Sequence, residues 1–574
     1  MELILEYTVG LKEMYPEDED TNLDSLLYGM QSEMAIRVGA NFLAKKEIYT
    51  ESMEENLDRF FNENNYKFKA DAYQRLIKLK QKLGRPIRVI TQPAILSVLA
   101  YANNHLNTEQ LLSDEQIEVN FFKSVLFINA SINQVEQKIS DSTKNIKPEI
   151  AFYAPMFTHA LRFSDFVNYD LYEVFFSEYL RSILLFEFLK EREDAKYLLN
   201  EFEKIYDIAD WKDYLKRVSI ITMLGLKKEK EGYLELDIPR DNLYETNIKF
   251  LDILATIKYD ELTDSDFKVL REKPLYKIAD GRYLVISELF AAERIFKGLY
   301  FSLKSINETL PAGQKIKEFR TFYTFNYSEK YALYEILKKS FSKKNMSFSG
   351  EYLDSLKISG APDYYVRNKN KLYLFESKDS LINASLKDSG DYSLLEEDVK
   401  KKFYIDKDGR KGVKQLFNFI TTVFKNGFLS FDNTYNKEKL RIYPIIVIHD
   451  RQLDVPGFNK ILNHWFNEEI KNFGSQEIED GVYPITVIDI STLILVHELL
   501  LDRRLLLEKV IEQYHEFVRV KHETNYTSIE HFKKHLMDTA ITFSFYIRQE
   551  VRKKELSRSP HGMIMEKAGI AMEQ

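Results

Sequence analysis

The chain has 574 residues, 44% of them hydrophobic and 30% charged, with a net charge of −8 and no cysteine. That length exceeds what one hydrophobic core organises, so two or three globular domains are expected. Disulfides, thiolate zinc sites and cysteine nucleophiles are excluded, and the acidic balance argues against a protein that coats DNA over its whole surface.

The opening residues, Met1 to Tyr7, carry neither a basic stretch nor a long apolar run. The most apolar segments are Ile442 to Ile448, Ile485 to Ile490, and Leu493 to Leu501 broken by His497 and Glu498. All fall short of the roughly 20 residues a membrane helix needs. A cytoplasmic protein with no membrane contact is expected.

Up to about residue 265 the pattern is helical. Leu27, Met30, Met34 and Val38 recur at three- and four-residue steps, one stripe of one helix. Asp71 to Leu83 reads as a helix stopped by Gly84 with Pro86 beyond. Ser164 is placed as the cap of a long helix through Leu180, Leu184, Leu185 and Phe188. No fixed repeat and no low-complexity tract occurs, and an all-α domain over 1–265 follows.

The pattern then changes, and an α/β domain is expected over 266–515. Pro274 to Ile278, Asp280-Gly281 and Tyr283 to Ile286 read as a hairpin. Glu329 to Phe341 is a helix. Strands are expected at Met346 to Leu353, Asp363 to Arg367, Leu372 to Glu376, Tyr443 to Ile448 and Ile485 to Ile490, with helices at Val413 to Phe424 and Gly457 to Lys471. Strands mixed with helices give a mixed sheet flanked by helices. Residues 516–574 read as a helical extension with a loose end. The fold class is therefore α+β and multidomain.

The residues that carry chemistry lie between Ser359 and Asp379. Two β-rich runs flank Lys369-Asn370, and a two-residue turn there makes Asp363 face Glu376. Lys378, two residues on, shares that side. Two carboxylates and an ammonium then converge on one point. Carboxylates so close repel each other, and a hard divalent cation such as Mg²⁺ relieves that repulsion.

This arrangement resembles the PD-(D/E)xK, or restriction-endonuclease-like, nuclease superfamily. The motif stands as Pro362-Asp363, twelve residues, then Glu376-Ser377-Lys378. The resemblance spans about residues 310–495. It implies that Asp363, Glu376 and the Ser377 main-chain carbonyl bind Mg²⁺, with Mn²⁺ as a substitute, and that Lys378 is catalytic. It adds a metal-binding acid on the preceding helix, Glu329, with Glu335 as the rival, and a catalytic Gln415 on the helix after the third strand. The implied activity is a Mg²⁺-dependent endonuclease on double-stranded DNA, resembling bacterial restriction or phage-defence effectors. The helical half would then sense a trigger, bind a partner protein or build a homo-oligomer. Two alternatives stay open: a ribonuclease using the same metal site, and a non-cutting nucleic-acid-binding or scaffold protein.

Residues 401–441 hold ten Lys or Arg against four acids. Lys411 and Lys414 are candidate phosphate contacts, against the alternative of a solvated face. His531 and His535 have metal-ligand spacing, but the two lysines between them repel a cation. Asp406-Lys-Asp408-Gly409 reads as a turn. The absence of a Gly-rich phosphate loop with its lysine argues against an ATPase motor.

Overall fold

The computed structural model describes residues 7–18, 20–44, 52–105, 107–167, 169–228, 232–255, 266–341, 344–358, 360–405, 411–426, 429, 431–520 and 528–556. Ser359, the Asp406–Gly409 turn, the basic Lys407 and Arg410, and the tail from 557 lie outside the described residues. The chain is mostly helical with one mixed five-stranded sheet. Among the described residues no helix is long and apolar enough to cross a membrane.

Two compact units form, and each is discontinuous: residues 1–138 with 200–302, and residues 139–199 with 303–574. The expected division at 265/266 therefore changes. The hairpin Leu275–Ala279 and Arg282–Val285 pairs with strand Leu234–Asp237, so residues 266–302 belong with the first unit. That unit is not all-α: it holds this three-stranded sheet and a short parallel pair, Tyr7–Thr8 with Ile87–Arg88. Its helices pack around edge-to-face rings, with Phe60 4.9 Å and Phe61 5.1 Å from Phe122. The stripe from Leu27 to Val38 is split between helices Leu23–Leu27 and Ser32–Leu43, because Gly29 takes a left-handed φ of 76° between them.

In the second unit the strands are β1 (Met346–Ser349), β2 (Tyr364–Asn368), β3 (Lys371–Lys378), β4 (Arg441–Ile448) and β5 (Thr486–Asp489), side by side in chain order. The β1–β2 and β2–β3 pairs are antiparallel; β3–β4 and β4–β5 are parallel. Parallel strands covered on both faces are apolar, which is why 372–375 of β3 and 442–448 of β4 read as unbroken hydrophobic runs. Tyr365, Leu372, Leu374, Ile442, Ile446 and Val487 form one core with helices Tyr153–Val167, Gly412–Asn426 and Phe458–Phe473. On the opposite face Phe341 packs its ring 5.7 Å from Tyr373 and 5.9 Å from Phe375.

Two further expectations change. Ser164 lies inside helix Tyr153–Val167, and the next helix, Leu171–Lys190, is capped by Asp170, which accepts from the N–H groups of Tyr172 and Glu173. Among the described residues after 516, one helix packs into the second unit. Helix Phe543–Lys553 buries Phe543, Ile547 and Val551, and Ser544 Oγ accepts the Asp489 N–H at 3.0 Å.

Candidate active site

The β2–β3 turn is the two-residue one. Asn368 pairs with Lys371 and Tyr364 with Phe375, and Lys369 takes the left-handed φ of 56° that closes the turn. Asp363 stands one residue before β2, at the end of the ladder opposite Glu376. Its carbonyl accepts the Gly350 N–H at 2.7 Å, and its Oδ2 accepts the Ser377 N–H at 2.6 Å. Lys378 Nζ donates to Glu376 Oε1 at 2.5 Å and to the Ser377 carbonyl at 3.1 Å. Glu376 Oε2 is buried with no hydrogen-bond partner. Asp363, Glu376 and Lys378 are thus brought together at one end of the sheet, as their spacing predicts.

Glu329 lies in the π-helical run Phe322–Leu333 and is half-buried. It is near enough to Asp363 and Glu376 for their charges to act on it. Glu335 is elsewhere: with Glu187, Lys190, Glu191 and Tyr331 it lines a separate surface cavity of about 450 Å³. Gln415 does not reach the carboxylates with a hydrogen bond. Its Nε2 donates to the Ala361 carbonyl at 2.8 Å and so braces the loop that delivers Asp363.

Lys414 pairs with Glu469 and lies over the Phe417 ring. Lys411 is half-buried at the start of the same helix. Much of the basic segment is matched by acids: Lys401 with Glu397, Lys402 with Asp398, and Lys437 with Glu477.

Burial dominates the electrostatics. It pushes the Glu376 carboxyl up to about 8, helped by the charge of Asp363 and opposed by Lys378 and the Gly412 N–H. Burial, then Asp363 and Glu376, pushes Glu329 up to about 9. Asp363 is also raised by burial, against Lys378 and the Ser377 N–H. Burial pulls Lys378 down, but Glu376 and Asp363 outweigh it and the ammonium is held above its ordinary value. One lysine is too little positive charge for three carboxyl groups, so protons stay in the site at neutral pH.

Sequence reasoning missed two contributors. Gly412 begins its helix at φ 54°, and a Cβ there would lie 1.9 Å from the Phe403 carbonyl oxygen, so only glycine brings this N–H towards Glu376. His449 Nε2 shares a 2.8 Å hydrogen bond with Ser377 Oγ, and burial pushes its imidazole down to about 4, so it is neutral beside Lys378. Nothing in local pattern marks either residue; both act through neighbours distant in sequence.

Among the described residues no three His, Asp or Glu side chains stand together as a ready metal cage. Mg²⁺ does not require one, because it keeps several waters and takes one or two carboxylates. The buried, unpartnered Glu376 Oε2, the raised carboxyls and the Ser377 carbonyl beside them suit such an ion. Compared with known proteins, the chain matches no protein family, no curated protein and no solved structure.

The raised carboxyls give a stability prediction. Without divalent cation, their contribution is fully present below the ordinary glutamate value of about 4.5 and is lost as pH rises through the folded values of about 8 and 9. Melting curves in EDTA are expected to fall across that window. Mg²⁺ is expected to raise the melting temperature most at the alkaline end, because it replaces the retained protons, and to release protons at pH 7. Equal curves at pH 8.5 with MgCl₂ and with EDTA would contradict this.

Proposed function

We propose that this chain is a Mg²⁺-dependent nuclease of the PD-(D/E)xK class that hydrolyses phosphodiester bonds in double-stranded DNA. The observation that carries the reading is the convergence of Asp363, Glu376 and Lys378 at one end of the β2–β3 ladder, with Glu376 Oε2 buried and unpartnered. Asp363, Glu376 and the Ser377 carbonyl would hold the ion, with Glu329 behind them. When bound, the ion supplies Lewis-acid polarisation of a phosphoryl oxygen and acidifies a water.

The chain's own groups do the rest. Lys378 is held above its ordinary value, so it stays cationic through the neutral range. It therefore neutralises charge that builds on the phosphate and is not a general base. Gln415 fixes the Ala361 carbonyl and, through it, the Pro362-Asp363 loop. Lys411 and Lys414 would meet the phosphate backbone. The Lys414–Glu469 pair is partly exposed, and such pairs are worth about 1 kcal/mol or less, so a phosphate can compete for the lysine. A place in restriction or phage defence rests on the resemblance and on nothing else.

Incubation with plasmid, linear and single-stranded DNA and with RNA, in Mg²⁺, Mn²⁺ or EDTA, tests the reading. Cleavage of double-stranded DNA in either metal and none in EDTA is expected. Cutting of RNA alone would make the chain a ribonuclease with this site. Binding with no metal-dependent cutting of any substrate would leave a non-cutting nucleic-acid binder.

A further inference from the structure

Asp379 follows Lys378 directly and has a side chain only 10% exposed. Three hydrogen bonds converge on it from one helical run. Ser328 Oγ donates to its Oδ2 at 2.6 Å. Arg320 Nη2 donates to its carbonyl at 2.6 Å and to its Oδ1 at 3.2 Å. Arg320 lies in the turn Phe319–Thr321 that leads into the π-helical run, and Ser328 lies eight residues further along. One carboxylate therefore grips the run at two points.

The residues around Glu329 are all tied down. Tyr327 OH donates to the Arg181 carbonyl at 2.7 Å, Ser328 bonds Asp379, and Lys330 Nζ pairs with Glu351 at 2.6 Å. Among the described residues the Glu329 side chain makes no hydrogen bond or ion pair. Fixing a helix at adjacent positions fixes its rotation and axial position. Glu329 is then presented at a set place, with its carboxylate uncommitted.

From this geometry we infer that Asp379 is a positioning residue of the active site: it clamps the helix that carries Glu329 to the end of the strand that carries Glu376, Ser377 and Lys378. The inference rests on the metal-site reading given above. It adds to the anchors at Tyr327 and Lys330 a side chain that ties Glu329's helix directly to the strand of the carboxylates, yet touches neither ion nor substrate. Partners that hydrogen-bond a metal ligand directly change metal affinity or activity 10–100-fold when removed, and a clamp one contact further out is expected at the lower end of that range.

Mn²⁺ binding, read from loss of the free-ion electron paramagnetic resonance signal, tests the clamp without requiring turnover. Asp379→Ala is expected to weaken Mn²⁺ binding about tenfold or more, with Ser328→Ala changing it in the same direction. Because Asp379 acts through Glu329, Asp379→Ala placed in Glu329→Gln is expected to bind no more weakly than Glu329→Gln alone. Wild-type affinity in Asp379→Ala, or additive losses in the double variant, would overturn the clamp. If wild type and Glu376→Gln take up Mn²⁺ alike, the metal site itself falls and the clamp with it. If Glu376→Gln loses Mn²⁺ while Asp379→Ala keeps it, only the clamp falls. Should Asp379→Ala fail to fold, Ser328→Ala, which removes a single hydroxyl, decides the matter through the same pairing with Glu329→Gln.

Discussion

Glu376→Gln is expected to lower metal-dependent DNA cleavage by about 10²–10³-fold or more, while melting no lower than wild type in EDTA above pH 8. The two outcomes share a cause. Glu376 is 1% exposed and sits beside Asp363, so its negative form is unfavourable in the folded chain. Glutamine keeps the shape, still offers an oxygen to Lys378, and has no proton to give up at alkaline pH. It lacks the charge a divalent cation needs. Function and stability are thus expected to pull apart at this residue, as at other sites where strain serves activity. Initial cleavage rates and melts on the same preparations check both halves. Retained activity, or loss of activity only in step with loss of folded protein, would remove Glu376 from the chemistry.

The second large effect concerns stability alone. Arg367 and Asp432 form a bidentate pair with side chains 6% and 0% exposed. Arg367 Nη2 donates to Asp432 Oδ1 at 2.6 Å, and Tyr365 OH donates to Asp432 Oδ2 at 2.6 Å. Both Tyr365 and Arg367 stand on β2, on the same side as Asp363, so the pair anchors the strand that ends at the site. Asp432→Ala leaves the Tyr365 phenol without its acceptor and the buried Arg367 guanidinium without its counter-charge, with the Lys369 carbonyl and Thr434 Oγ1 left to accept from it. About 3–5 kcal/mol of stability is expected to be lost, read as a fall in the urea midpoint. Replacing both partners, as in Arg367→Met with Asp432→Leu, is expected to cost far less, because no unpaired charge remains. Burial raises the Asp432 carboxyl, but the bonds from Arg367 and Tyr365 outweigh it and the group is held below its ordinary value of 3.8. Its contribution is therefore present at neutral pH and lost as pH falls below that value. A double variant as unstable as Asp432→Ala would show that shape, not charge, holds the strand.

Local pattern was enough for the heart of the candidate site. A strand has a side-chain period of two, and the turn at Lys369-Asn370 spans two residues, so Asp363, Glu376 and Lys378 had one register available to them. The unbroken apolar run Leu372 to Phe375 belongs to a strand buried on both faces. Cap choice was less legible. Ser164 and Asp170 both suit a helix start, and Asp170 holds the role because its carboxylate accepts two backbone N–H groups, while Ser164 is buried inside the preceding helix.

What the sequence by itself determined is the β2–β3 ribbon and the three groups it gathers, since the strand pairing and the hydrogen bonds among Asp363, Glu376, Ser377 and Lys378 lie within sixteen residues (363–378). What only the tertiary structure decided is which distant side chains serve that ribbon: Glu329 and not Glu335, Gln415 as a brace for Ala361, Asp379 bound to Ser328 and Arg320, and residues 139–199 packed with 303–574. The physical reason is range. Turn and strand geometry act between neighbours in the chain, whereas burial, charge and hydrogen-bond partnership depend on which elements meet in space.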